Sequence, residues 1–207
     1  MTSISIIGTG NMGSAIAGVA AKGGASVQLV ARDITKAKQL AEQVGGTAVE
    51  FGEALDGDVV VLALPYAALA DVVSTYHDRL DGKVVVDVTN PVDFATFDAL
   101  TVPADSSAAA ELQAALPGAK VVKAFNTNFA ATLATGQVGG VPTTVMIAGD
   151  DEAAKAQLTE IVTAGGITVA DAGALTRARE LEATGFLQMV LAVREQVPWT
   201  GGFAVRA

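Results

Sequence analysis

The chain of 207 residues is 51% apolar and 17% charged, with 22 acidic against 13 basic side chains and a net charge of -9. Length and apolar content fit one domain, or one domain with a small appendage, and an acidic balance without a Lys/Arg cluster argues against a nucleic-acid partner. The longest uncharged apolar stretch, Val59 to Ala70, falls short of the roughly 20 residues that cross a bilayer, the lack of Cys removes disulfides and thiolate sites, and a single His removes His-rich metal sites.

No membrane partner is therefore expected. With no targeting segment recognisable ahead of the first apolar run, a cytoplasmic location is expected too.

Ile4–Ile7 reads as a strand, Asn11–Lys22 as a helix closed by Gly23-Gly24, and Ser26–Val30 as the next strand, together one βαβ unit. Asp33 is placed to cap a second helix, in which Ile34, Ala37, Leu40, Ala41 and Val44 recur at helical spacing until Gly45-Gly46. A weak third strand follows at Thr47–Val49. The run from Val59 to Leu64 is apolar on both faces, as a central parallel strand should be, and Leu69, Val72, Val73, Tyr76 and Leu80 mark the next helix. Val84–Val88 is a fifth strand and Val121–Ala124 a sixth, after an Ala-rich helix ending at Pro117-Gly118. Beyond it the pattern predicts a strand at Thr144–Ala148, a helix at Ala153–Thr163, a strand at Ile167–Ala170 and a helix over Leu175–Val197. That last helix is apolar almost all round from Ala183 to Val193, which predicts cover on more than one side. A homodimer that buries it, with Gly185 at the contact, would supply such cover.

The run Gly8-Thr9-Gly10-Asn11-Met12-Gly13 follows a strand and opens a helix. In that context Gly8 suits a tight turn, Gly10 a close backbone approach to a pyrophosphate, and Gly13 close helix packing, with the helix N-terminus facing the phosphates. An NAD site usually carries an acid about 20 residues further on. Here Ala31 stands at that place, followed by Arg32 and Lys36, which favours the 2′-phosphate of NADP. Three strand ends carry further candidates: Leu64-Pro65, Thr89-Asn90-Pro91 and Phe125-Asn126-Thr127-Asn128. No general acid or base stands among them, and His77 reads as a surface residue near a helix end. A site of that kind suits an acceptor that takes hydride on its own ring and needs placement more than proton transfer.

The segments "ISIIGTGNMGSAIA", "VARDITKAK", "VVLALPYAAL", "VVVDVTNP", "VVKAFNT", "VMIAGDDEAAK" and "ITVADAGALTRARELE" occur in an order that resembles the NADP-dependent oxidoreductases of the deazaflavin coenzyme F420. "KAFNT" is also similar to the reductase domains of six-transmembrane ferric reductases. The resemblance implies that Gly8, Thr9, Gly10, Asn11, Met12 and Gly13 cradle the dinucleotide. It implies too that Thr9, Arg32 and Lys36 hold the 2′-phosphate, that Leu64, Pro65 and Asn90 flank the cofactor, and that the segment from Ala124 to Asn128 faces the second substrate. Archaeal members carry His and then Thr-Ile-Pro where this chain has Asn126-Thr127-Asn128-Phe129, a departure on the acceptor side only. The expectation is an α/β protein: a Rossmann-type, doubly wound, mostly parallel sheet with a small C-terminal α/β extension ending in a long helix. Residues 1–124 form its dinucleotide-binding domain and 125–207 a smaller portion for the substrate site and dimerisation. The function expected is hydride transfer between NADPH and a small-molecule acceptor, F420 or a flavin such as FMN. An NADPH-dependent flavin or ferric reductase and a non-catalytic NADP sensor are the alternatives.

Overall fold

Short β-branched runs separated by amphipathic stretches fold into one sheet with helices on both faces. The computed structural model describes residues 2–205, in the order β1 (Ser3–Ile7), α1 (Asn11–Lys22), β2 (Ser26–Ala31), α2 (Ile34–Val44), β3 (Thr47–Glu50), β4 (Val59–Leu62), α3 (Leu69–Tyr76), β5 (Val84–Asp87), α4 (Ala108–Ala115) and β6 (Lys120–Ala124). Then come α5 (Ala130–Thr135), β7 (Gln137–Val138), β8 (Val141–Pro142), β9 (Thr144–Gly149), α6 (Glu152–Ala164), β10 (Thr168–Asp171) and α7 (Ala178–Val193). The sheet has eight strands in the order β10-β9-β6-β5-β4-β1-β2-β3. Strands β1 to β6 are parallel, in the Rossmann order 3-2-1-4-5-6. Strand β9 joins β6 antiparallel, and β10 runs parallel to β9.

Strand alternation divides the core in two. Ile4, Ile6, Val59, Val61, Val84 and Val86 face α1, α2 and α6, whereas Ile7, Val60, Leu62 and Val85 face α3 and α4. Caps stand where the residue types place them: Asp33 accepts from the backbone N–H groups of Thr35 and Lys36, and Gly45 closes α2 in the left-handed region at φ 68°. None of the helices among the described residues is long and apolar enough to cross a membrane.

The C-terminal part departs from the sequence pattern in three places. Helix α5 and the β7–β8 hairpin were not predicted, although Gly139-Gly140, both at positive φ, is a two-residue hairpin turn signal. The last helix stops at Val193 instead of Val197. There the Glu195 N–H bonds the Ala192 carbonyl and the Gln196 N–H bonds that of Leu191, a Schellman closure in which Glu195 takes the left-handed place at φ 59°. Without glycine there, the stop left no mark in the sequence. Helix α7 also buries a different face from the one its apolar run suggests. Its inner stripe is Ala178, Leu181, Glu182, Gly185, Gln188 and Ala192, while Leu187 and Val193 stay exposed.

That inner stripe brings a charge into the core. Asp87 and Lys123 are cross-strand neighbours, and the Lys123 ammonium lies 2.8 Å from both the Asp87 and the Glu182 carboxylates. All three side chains are buried. Glu182 also accepts from the Ala108 and Ala109 N–H groups at the start of α4. Lys123 further donates to the Thr89 carbonyl, and Asp87 accepts from the Thr89 N–H. Burial, with the nearby Asp87 carboxylate adding to it, pushes the Glu182 carboxyl up, outweighing Lys123 and the Ala108 N–H.

A carboxyl raised in the folded state stabilises the fold below its unfolded value of about 4.3 and loses that contribution as pH rises through the folded value. Asp93 and Asp151, held low by the backbone N–H groups of Ala95 and Ala154, act on the acid side of that window. Glu182→Gln is therefore expected to flatten the decline of unfolding free energy above about pH 4.3, measured by urea denaturation across a pH series. An unchanged slope would contradict the raised carboxyl.

Candidate functional site

Strand β1 ends at Ile7, and Gly8 turns the chain at φ 113°. A Cβ on Gly8 would run into the Ala63 carbonyl oxygen, and one on Gly13 into the carbonyl oxygen of Gly8. Gly10 differs: it is exposed, with nothing within 4 Å of a Cβ placed there. It caps α1 with no side-chain hydrogen bond, and no acid stands in the first turn. The opening N–H groups of a 12-residue helix are thus left free for an anion, supported by the helix dipole. The motif fits a dinucleotide pyrophosphate, and Leu64, packed 3.1 Å from the place of a Gly8 Cβ, borders it.

Beside this cradle, at the carboxyl ends of β5 and β6, lies a cavity of about 730 Å³. Asn11 and Met12 of α1 line it together with Asn90, Phe125, Asn126, Asn128, Phe129 and Trp199. Phe125 leaves β6 in the left-handed region at φ 64°, a conformation uncommon for residues with a side chain. The Asn90 amide donates to the Asn126 carbonyl at 2.9 Å. Asn126 donates to Asn90 Oδ1 and to the Leu181 carbonyl, both at 2.9 Å. Asn128 donates to the Thr144 carbonyl at 3.0 Å.

Four buried side-chain oxygens among the described residues have no hydrogen-bond partner: Thr89 Oγ1, Asn126 Oδ1, Thr127 Oγ1 and Asn128 Oδ1. All belong to the loops after β5 and β6. Such a cluster is rare where nothing polar is to bind, because each orphaned group loses its hydration.

Asn90, Asn126, Asn128, Asn11 and Met12 thus meet at one cavity. Thr127 does not join them: its side chain is buried away from the lining, and its carbonyl accepts from Gln188. Ala124 is fully buried in β6. Asn126, expected from the resemblance to face the second substrate, lines the cavity. Its two amide protons are already committed, so its free Oδ1 can only accept.

Arg32 and Lys36 stand apart from the cavity, at the end of β2, the neighbour of β1. Arg32 pairs with Asp71 at 2.6 Å with 70% of its side chain exposed, and lies over the Phe51 ring. Lys36 reaches Asp33 at 3.7 Å. Exposed pairs of this kind contribute about 0–1 kcal/mol, which leaves both cations free to exchange partners. His77 pairs with Asp78 on the surface, outside the cavity. Sequence reasoning missed the contribution of α7 and the segment beyond it: Glu182, Gly185, Gln188 and Met189 from the helix, then Trp199.

Fold and cradle define a Rossmann-type dinucleotide-binding protein. The family profile described as "NADP oxidoreductase coenzyme F420-dependent" matches residues 3–91. The F420-dependent NADP reductase of Methanocaldococcus jannaschii is 31% identical over 175 residues, covering 80% of this chain and 78% of that one. This chain therefore belongs to the family of coenzyme F420-dependent NADP oxidoreductases. A protein from Arthrobacter sp. FB24, assigned as an F420-dependent NADP reductase, has a fold similar at a TM-score of 0.86, with 27% identity and 99% of both chains covered. The metalloreductase STEAP3 of Rattus norvegicus is 29% identical, with 87% of this chain and 36% of that protein covered.

Gly185, expected from sequence at a contact between two copies, packs inside the chain. A Cβ there would lie 2.7 Å from both the Asn126 carbonyl oxygen and Asn90 Oδ1. Gly185→Ala gains helix propensity of about 1 kcal/mol but must displace that pair, at about 1–3 kcal/mol for overpacking. A lowered thermal midpoint is expected. An equal or raised midpoint would show that the asparagine pair yields without resistance.

Proposed function

We propose that the protein transfers hydride between NADPH and a flat fused ring, either a deazaflavin of the coenzyme F420 type or a flavin. One observation carries this reading: among the described residues the cavity beside the dinucleotide cradle is lined by no Asp, Glu, His, Lys or Arg, and two of its lining residues, Asn126 and Asn128, carry buried side-chain oxygens without a partner. A carbonyl reductase needs a proton donor at the nascent alkoxide. A ring acceptor needs a defined position and apolar walls.

In this reading residues 1–124 hold the dinucleotide and 125–207 supply the acceptor side. The α1 N-terminus and Gly10 bind the pyrophosphate, Thr9, Arg32 and Lys36 bind the 2′-phosphate, and Leu64 and Pro65 flank the cofactor. Asn126 and Asn128 accept hydrogen bonds from ring N–H groups, while Met12, Phe125 and Phe129 exclude water from the reacting faces. Bound NADPH supplies the hydride, two electrons and a proton together, and the reduced ring takes its second proton from solvent. Names of relatives support both arms: F420-dependent reductases on one side, a metalloreductase on the other.

Purified protein mixed with NADPH and either F420 or FMN is expected to oxidise NADPH, read at its absorbance band, with a rate that varies gently with pH across neutrality. Failure with both acceptors would overturn the proposal.

Arg32→Ala tests the dinucleotide end separately. Loss of a charge-assisted hydrogen bond of about 1.5–3 kcal/mol is expected to weaken NADPH roughly ten- to a hundredfold while sparing NADH. Equal losses for both, measured by titration, would remove Arg32 from the 2′-phosphate site.

A further inference from the structure

Trp199 is the single tryptophan of the chain, and its environment is unusual for one. It stands in a tight turn, Pro198-Trp199-Thr200-Gly201, closed by the Gly201 N–H on the Pro198 carbonyl at 2.8 Å. Its ring lies 4.9 Å from that of Phe129, tilted by 49°, and lines the cavity while remaining 52% exposed.

The turn is held at both ends. Upstream, Glu195 redirects the chain after α7. Downstream, the Phe203 N–H donates to Gln188 Oε1 at 2.7 Å, and Gln188 Nε2 donates to the Thr127 carbonyl at 3.2 Å. Gln188 is buried and so ties the turn directly to the loop that carries Asn126 and Asn128. Gly202, at φ 136°, makes the tie possible: a Cβ there would lie 2.7 Å from Gln188 Oε1. Two bends and a buried carboxamide thus hold a half-exposed indole against the cavity. Nothing in the packing of the core requires it there.

We infer that residues 194–203 form a strap whose Trp199 is a specificity-determining wall of the acceptor site, the face on which a flat fused ring stacks. This rests on the ring-acceptor reading above. An indole offers a large, rigid, polarisable face, and its exposed half is apolar area that a planar ligand would cover. Phe129 meets the indole at a tilt of 49°, and Trp199 stays half exposed. The strap selects for a broad ring, since a small carbonyl substrate would leave that face in water.

Trp199→Ala is expected to raise KM for F420 or FMN about tenfold, the scale of losing one aromatic stacking partner and its buried area. Trp199→Phe should keep KM within about threefold of wild type, and NADPH affinity and thermal midpoint should stay unchanged in both variants. Because Trp199 is the only indole, its emission is a second readout: titrating F420 or FMN into the NADP-bound protein should quench it. A wild-type KM in Trp199→Ala, or ring binding that leaves the emission unchanged, would overturn the strap alone. So would a loss of NADPH affinity or of thermal stability in Trp199→Ala that accounts for the KM change. If wild type oxidises NADPH with neither ring, the acceptor reading and the strap fall together.

Discussion

The buried ammonium of Lys123 is the point on which the cavity side of the structure depends. A charge in the interior is tolerated only when it is paired and hydrogen-bonded, and the partners of Lys123 come from four elements: Asp87 at the end of β5, the Thr89 carbonyl just beyond it, Glu182 of α7, and, through Glu182, the first amides of α4. One ammonium is thereby shared by two carboxylates, and its loss would strand both of them in the core. Helix α7 must therefore lie across the ends of β5 and β6, whatever its own apolar residues prefer. That requirement accounts for Leu187 and Val193 facing outward while Glu182 and Gln188 face in. It also sets the height of the Thr89–Asn90 loop, since Asp87 and Lys123 hold both the N–H and the carbonyl of Thr89.

The first six strands were legible because each physical requirement there is local. Apolar alternation, the glycine turn and the Asp33 cap can each be read without knowing what lies across the sheet. The second half obeys long-range demands instead. A left-handed Glu195 leaves no glycine to read, and the antiparallel pairing of β9 with β6 depends on the route taken by the hairpin and α5. Asn90, Asn126 and Asn128 were found from their places after parallel strands, where ligands gather. How Asn126 is tied could not be read, because the partners of its amide, Asn90 and the Leu181 carbonyl, come from segments that only the fold brings near. One overlooked signal was in plain sight: a Lys inside "VVKAF" and an Asp inside "VVVDV", charges within strands apolar on both faces, must be partnered.

Electrostatics divide the two ends of the site. A net charge of -9 opposes a polyanionic dinucleotide at long range, but screening confines that effect to roughly 8–10 Å at physiological salt. Local fields then decide. At the cradle, free helix N–H groups face no acid in the first turn. Just past β2, Arg32 pairs with Asp71, and Lys36 in the first turn of α2 pairs with Asp33, both pairs exposed. Pairs so weak leave both cations free to exchange partners, as the proposed 2′-phosphate contact requires.

The cavity follows the opposite rule, with neutral groups held rigidly and left unsatisfied. Among the described residues, the side-chain oxygens of Asn126 and Asn128, two residues that line the cavity, are buried without a partner, a burial that costs about 1–3 kcal/mol per group until a hydrogen bond is made, and the left-handed Phe125 adds strain to the same loop. A flexible loop would relax this by turning the groups to solvent. Here it cannot, because Asn126 is bound to Asn90 and Leu181, Asn128 to Thr144, and the Thr127 carbonyl to Gln188. The surrounding hydrogen bonds thus hold these loops in one arrangement, and in the proposed function a ring N–H reaching Asn126 or Asn128 would supply the missing partner. Such a site discriminates by donor pattern and shape: a ring that lacks the N–H leaves an oxygen dry and unpaired, and binds less tightly for that reason alone.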